Sequence, residues 1–298
     1  MIPWQIPLVL KVIVANILAP FIGKKIVNRQ GRSRRFVAQY SAACIIAWLF
    51  ALASPKAAWE AFPLVFALGF VQVFGTYCYW RATAISLSAT AFTTQFDDVI
   101  GMLMGYVFLG EAHYLRNGAL AAGILFALSG VLVFTLFKNT ERLRESLHGT
   151  HCERPLYMWV AGYSIVWGLA YFGLRYFGVH NVAPKVFLTG WYSGSFLGAI
   201  VIHRLAGAKE AGDPIPWREH GMTTLLAVCI YASLYFQYWV SSLTPITVHQ
   251  PIYQVTEMVF PALIGLFYFK EIGSLTRSGK IAFALGIAGT LLIALSYR

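Results

Sequence analysis

Asp97 and Asp98 stand side by side in an otherwise apolar run from Ala89 to Leu109. A third acid, Glu257, sits in a later run that opens His249-Gln250-Pro251-Ile252-Tyr253-Gln254. A charged side chain at bilayer depth is costly, so it faces a bundle interior or a water-filled cavity. The chemistry open to such carboxyls is proton carriage or the binding of a charged substrate. Lys11, in Leu8-Val9-Leu10-Lys11-Val12-Ile13, is the one base well inside an apolar run. Three acids against one lysine leave a negative excess that pairing cannot neutralise. Asp97 and Glu257 therefore read as binding substrate, a proton, or each in turn, with Asp98 beside them. Lys11 reads as a structural or charge-tuning partner rather than a substrate ligand. The bland alternative makes the acids neutral groups, or partners of Lys11, that hold helices together.

Spacing extends the set. Thr93, Asp97 and Gly101 recur every four residues and share a helix face. Gly101 and Gly105 form a small-residue pair that permits close helix approach. Asp98 points roughly 100° away from Asp97. Gln250, Gln254, Glu257 and Pro261 follow a polar stripe that a lipid-facing helix would not carry. Gln95, Gln250 and Gln254 supply hydrogen bonds, and Pro261 frees a backbone carbonyl near residue 257. His249 reads as a helix-start residue whose imidazole could also relay a proton. Tyr163 and Trp167, Tyr231 and Tyr235, and Trp191 are deep enough in their runs to wall a cavity. Acids with aromatic faces suit an ammonium group, and also suit an aromatic or zwitterionic metabolite. Trp4, Trp59, Trp80, Trp217 and Trp239 mark run ends, as an interfacial belt does.

The elements that must position these residues follow from composition. The chain is 58% hydrophobic and 12% charged over 298 residues. A soluble domain carries about 25% charged residues, so this is a membrane protein. The net charge of +11 reflects basic loops between apolar runs rather than a nucleic-acid surface. No phosphate loop, metal-ligand cluster or nucleophile–base pair is apparent, which argues against an enzyme and leaves no metal or cofactor expected. Three of the four cysteines, Cys44, Cys78 and Cys229, fall in apolar runs; Cys152 does not, and no disulfide framework follows. The first residues lack the features of a cleavable signal peptide.

A span needs about 20 mostly apolar residues. Segments near 4–22, 36–54, 60–80, 89–109, 117–137, 156–177, 184–204, 221–241, 247–269 and 279–297 qualify. The predicted class is an all-α integral membrane protein of ten transmembrane helices. The polar stretch 138–155 divides it into blocks at 1–137 and 156–298. The blocks resemble each other. Tyr79-Trp80 matches Tyr238-Trp239, Gly110-Glu111 matches Lys270-Glu271, and Ser129-Gly130-Val131-Leu132 matches Ala288-Gly289-Thr290-Leu291. The offset set by Glu111 and Glu271, 271 − 111 = 160, places Asp97 opposite Glu257. An odd number of spans per block makes the two copies inverted repeats, a known transporter architecture with its site near the midplane.

With those motifs and Pro261, the whole chain resembles the drug/metabolite transporter superfamily in its ten-span EamA branch. Many members carry Pro where this chain has Asp98. The resemblance implies a secondary transporter, often driven by protons or exchange, with a central cavity lined by both halves. It also identifies Glu111 and Glu271 with the family's motif, and beside tight turns they read as loop-fixing. The favoured substrate is a cationic or zwitterionic small metabolite. The alternatives are an anion exchanger for sugar phosphates or nucleotide sugars, which Lys11, Arg81, Arg175 and Lys185 would serve, and a flippase for a lipid-linked intermediate. A non-transporting membrane sensor has no need of charge at bilayer depth. Partners are the small molecule, the lipid bilayer and protons, without nucleic acid, in a monomer or weak homodimer.

Basic residues collect in the loops after spans one, three, five, seven and nine, among them Lys24, Lys25, Arg29, Arg32, Arg34 and Arg35. The positive-inside rule makes that side cytoplasmic and puts both termini outside, in a membrane such as a bacterial plasma membrane. The family resemblance implies both termini inside instead. A reporter active only in the cytoplasm, fused after Arg298, is expected to stay silent; a positive signal reverses the orientation.

Overall fold

The computed structural model describes residues 4–27, 31–53, 57–85, 87, 90, 94, 96–138, 153–211, 217–268 and 277–297. Nearly all of those residues are helical, and none of them is in a strand. This is the outcome expected of apolar segments in lipid, where each backbone N–H and C=O must be satisfied within its own segment. Ten helices are described. They are α1 (Gln5–Val27), α2 (Arg32–Ala53), α3 (Phe62–Ile85), α4 (Phe96–Phe108), α5 (Gly118–Lys138), α6 (Glu153–Val179), α7 (Pro184–Ala211), α8 (Trp217–Leu243), α9 (Ile246–Leu263) and α10 (Arg277–Ser296). Among the described residues, five stretches are long and apolar enough to cross a membrane: Gln5–Val27, Arg32–Ala53, Phe62–Ile85, Pro184–Leu205 and Glu219–Leu243.

Two helices leave α-geometry. In α1 the stretch Ile13–Leu18 is π-helical, and α9 passes through Pro251 and Pro261 into a π-helical end, Ile264–Tyr268. A short 3₁₀ turn, Glu111–Arg116, follows α4. The described α4 begins at Phe96, which puts Asp97 and Asp98 in its first turn. That placement has a physical reason. The first N–H groups of a helix have no intrahelical acceptor, and its positive dipole end favours carboxylates.

The helices pack in a bundle with two glycine seams. Between α3 and α7, Gly69 lies against the backbone of Trp191, and Gly194 lies against the backbone of Phe66. Between α5 and α10, a Cβ on Gly130 would stand 2.6 Å from Gly286 N and 2.7 Å from Ala282 O. Gly123 and Gly289 abut in the same seam. Further contacts join α2 to α7 and α8, α6 to α3, α4 and α8, α1 to α3, α8 and α9, and α9 to α4, α5 and α10. Trp4, Tyr114 and Tyr297 meet at one end of the bundle, while Phe21, Lys25 and Tyr268 meet at the other.

Residues 139–152, most of the polar divider, lie outside the described residues, as do Cys152, Lys270 and Glu271. Gly130→Leu places a branched side chain into backbone contact. Overpacking of this kind costs about 1–3 kcal/mol or more. It is expected to lower the thermal midpoint in detergent, whereas Gly118→Leu, at a position open on all sides, leaves it unchanged.

Candidate functional site

A cavity of about 200 Å³ lies inside the bundle. Its walls come from α1, α2, α3, α6, α7, α8 and α9, together with Thr94 ahead of α4. It extends along α1 from Lys11 to Val27. Lys11 is 1% exposed, and its Nζ donates to Glu257 Oε1 across the α1–α9 crossing. The same ammonium sits 3.7 Å from the ring centroid of Tyr253, so the ion pair is completed by a cation–π contact. Five residues on, Asn16 Nδ2 donates to Thr256 Oγ1 at 2.9 Å. Five residues of α-helix turn through about 500°, which would leave Lys11 and Asn16 roughly 140° apart. The wider i→i+5 turn between them brings both toward α9. Pro261 lines the cavity one turn beyond Glu257.

Of the residues selected from sequence, Lys11, Glu257, Tyr163, Trp167 and Trp191 line this cavity. Trp167 Nε1 donates to Thr76 Oγ1 at 3.2 Å, and Trp167 neighbours Tyr163, Tyr171 and Trp191 at ring distances of 6.1, 5.3 and 6.1 Å. Asp97 and Asp98 do not line it; they are buried behind its wall, each 1% exposed. Their link to it is electrostatic: both feel the charge of Glu257, and Asp97 faces the Tyr163 phenol. Asp98 N donates to Asp97 Oδ1 at 3.0 Å, and Gln250 Nε2 donates to Asp98 Oδ1. Gly168 of α6 approaches the Asp97 backbone carbonyl. Gln254 is 1% exposed on the same interior stripe as Gln250. Gln95 and Thr93 lie outside the described residues.

Two assignments change. Tyr231 and Tyr235 do not wall the cavity but face Phe50 of α2 at 6.3 and 5.7 Å. The wall of α8 is Ile230, Ser233, Leu234 and Gln237, about 100° round the helix from those tyrosines. His249 is a helix-start residue as expected, held by Thr244 Oγ1 at 3.2 Å and Ser241 Oγ at 3.4 Å in the first turn of α9, and it does not line the cavity. Glu111 does more than fix a turn. Its carboxylate accepts from Arg175 Nε at 2.6 Å, and from Thr247 N and Oγ1 at 3.3 Å each. Arg175 also donates to Ser241 O at 2.6 Å, so one ion pair ties α6, α8 and α9 at one end of the bundle. At the other end Arg35 pairs with Glu219, joining α2 to α8.

Sequence reasoning passed over Asn16, Gln39, Tyr40, Gln72, Thr76, Tyr192 and Gln237, all of which line the cavity. The amides carried a signal: an uncharged Asn or Gln inside an apolar run needs an interior partner as much as a charge does. Among the described residues, no cluster that could hold a metal ion occurs.

No protein-family model matches the chain, and no curated protein matches it. Nineteen chains among solved structures do match. One, described only as the crystal structure of a protein, aligns over 98% of this chain and 96% of that chain, with 14% identity and a TM-score of 0.67. A likeness at that identity is a likeness of fold.

Removing one member of a buried ion pair strands the other, at a cost of about 3 kcal/mol or more. Lys11→Met and Glu257→Gln are each expected to lower the thermal midpoint in detergent. The double variant is expected to recover much of the loss, because it leaves no charge alone; additive losses would show that the two residues act separately.

Proposed function

We propose that the protein is a secondary transporter for a small organic metabolite. It works by alternating access across a bilayer, with ten membrane-spanning helices in two inverted five-helix repeats, 1–137 and 156–298. The observation that carries this reading is the Lys11–Glu257 pair on the wall of an aromatic-lined cavity. A helix bundle with only structural needs gains nothing from an ion pair bordering a void, since well-packed apolar residues are at least as stable. A void bordered by amides, phenols and one ion pair can instead replace the hydration of a polar guest.

The contact pattern supports the repeat. Exchanging each helix with the one five places on turns α3–α7 into α8–α2, α3–α6 into α8–α1, α4–α6 into α9–α1, and α6–α8 into α1–α3, all of which are in contact. The pairs α2–α7, α4–α9 and α5–α10 map onto themselves and also touch. These pairs fit a two-fold relation between halves, whereas α5–α9 and α9–α10 have no comparable counterpart at α4–α10 and α4–α5 among the described residues; with the sequence motifs, the matching pairs support membership of the drug/metabolite transporter superfamily in its EamA branch. The five long apolar helices support an integral membrane location, and the basic loops favour a bacterial plasma membrane.

Substrate chemistry follows from the pair. Lys11 and Glu257 offer one positive and one negative group, so a zwitterion can exchange with the internal ion pair without leaving a net charge. A cation would strand Lys11. The anion-exchanger reading draws on Lys24, which also lines the cavity and donates to Thr83 O at 2.9 Å. In proteoliposomes, an imposed pH gradient is expected to drive accumulation of a zwitterionic amine ahead of sugar phosphates. Glu257→Gln is expected to abolish it; full gradient-driven transport in that variant removes Glu257 from coupling.

A further inference from the structure

We propose that Asp98 is a proton-binding site distinct from the substrate cavity, and that Gln250 is the group that reads its protonation. The observation is a matched deficit across two helices. Gln250 Nε2 donates to Asp98 Oδ1, which joins a carboxamide on α9 to a carboxyl on α4 by one hydrogen bond. The other oxygen of each group, Asp98 Oδ2 and Gln250 Oε1, is buried with no hydrogen-bond partner among the described residues. Both residues are 1% exposed. Both orphaned atoms are acceptors, so neither can satisfy the other. A buried acceptor left without a donor costs about 1–3 kcal/mol, more when it is charged.

One proton removes both deficits. On Asp98 Oδ2 it forms an O–H bond, the carboxyl becomes neutral, and that O–H donates to Gln250 Oε1. Asp98 Oδ1 keeps the amide N–H it already accepts. The result is a closed carboxylic acid–carboxamide pair with two hydrogen bonds in place of one. The proton comes from hydronium, which leaves water, and no electron is transferred. Loss of the proton restores an anion held by one N–H from Gln250, with the carboxamide oxygen unsatisfied.

The surroundings fit a proton. Asp98 is 1% exposed and does not line the substrate cavity. The charged and titratable groups that face it are Asp97 on its own helix, Glu257 on α9 and Lys11 on α1, with the Tyr171 phenol from α6. Lys11 is already committed to Glu257. A proton on Asp98 therefore leaves that pair intact, and a proton leaving Asp98 sets a second carboxylate in competition for the ammonium. Substrate would then meet Lys11–Glu257 in the cavity while the coupling proton sits behind it. The proton site deepens the transporter reading, and only its coupling role rests on that reading.

Infrared spectra of the purified full-length protein test the site directly. At neutral pH a protonated-carboxyl C=O stretch is expected, lost in Asp98→Asn and shifted to higher frequency in Gln250→Leu, which removes the amide partner. A band unchanged by both substitutions overturns the proposal. If Asp98→Asn does not fold, an unshifted band in Gln250→Leu overturns it alone. Asn at 98 can reproduce the closed pair with Gln250, so thermal midpoints are expected to match wild type at acidic pH and to lose the wild-type fall at alkaline pH. Equal pH dependence in both proteins contradicts the site. In proteoliposomes, Asp98→Asn is expected to lose gradient-driven accumulation yet keep substrate exchange without a gradient. A carboxyl band lost in Asp98→Asn supports the site even in a protein that moves no substrate, so the two readings fail separately.

Discussion

An ammonium and a carboxylate withdrawn from water are tolerated in an apolar interior only if each compensates the other and further polar contacts complete the job. Lys11 and Glu257 meet that condition from helices at opposite ends of the sequence. Their pairing fixes where α1 crosses α9. The Tyr253 ring beneath the ammonium and the Asn16–Thr256 bond beyond it then dictate the path of α1, including its stretch of wider turn. A regular α-helix there would point Asn16 away from α9. The π-helical segment is thus the local cost of making two polar ties to one neighbour.

The remaining polar groups divide by depth. The ends of the bundle carry ion pairs that tie helices together, Glu111 with Arg175 at one and Arg35 with Glu219 at the other. Between them the cavity is walled by rings, amides and hydroxyls that can hydrogen-bond a guest without demanding a fixed charge from it. Behind that wall lie Asp97 and Asp98 at the start of α4, where free N–H groups and the helix dipole favour acids. Coupling between the two layers is electrostatic and needs no shared void.

Much of this was legible in the residues. The apolar runs marked the helices, because lipid leaves an unbroken backbone little alternative. The Gln250–Pro261 stripe turned inward as its polarity required, and Gly101 and Gly105 lie against Tyr171 and Ile246 as small residues at a close contact should. What was not legible has identifiable causes. Where α4 begins depends on chain geometry near Thr94, and hydropathy is blind to it. The π-helical stretch of α1 arises from a partner 240 residues away. Tyr231 and Tyr235 are aromatic and deep, but depth does not say which side of α8 faces the void; Ser233 and Gln237 did say so. The roles of Gln39 and Gln72 escaped because the search favoured ionisable groups.

The α5–α10 seam has a mechanical implication. At Gly130 and Gly289 the two backbones meet directly, with the Ile293 side chain beside Gly123, and neither helix contributes a described residue to the cavity. Interfaces that slide do so by exchanging rotamers, and glycine has none to exchange. In the alternating-access reading proposed above, this pair would travel as a single stiff beam.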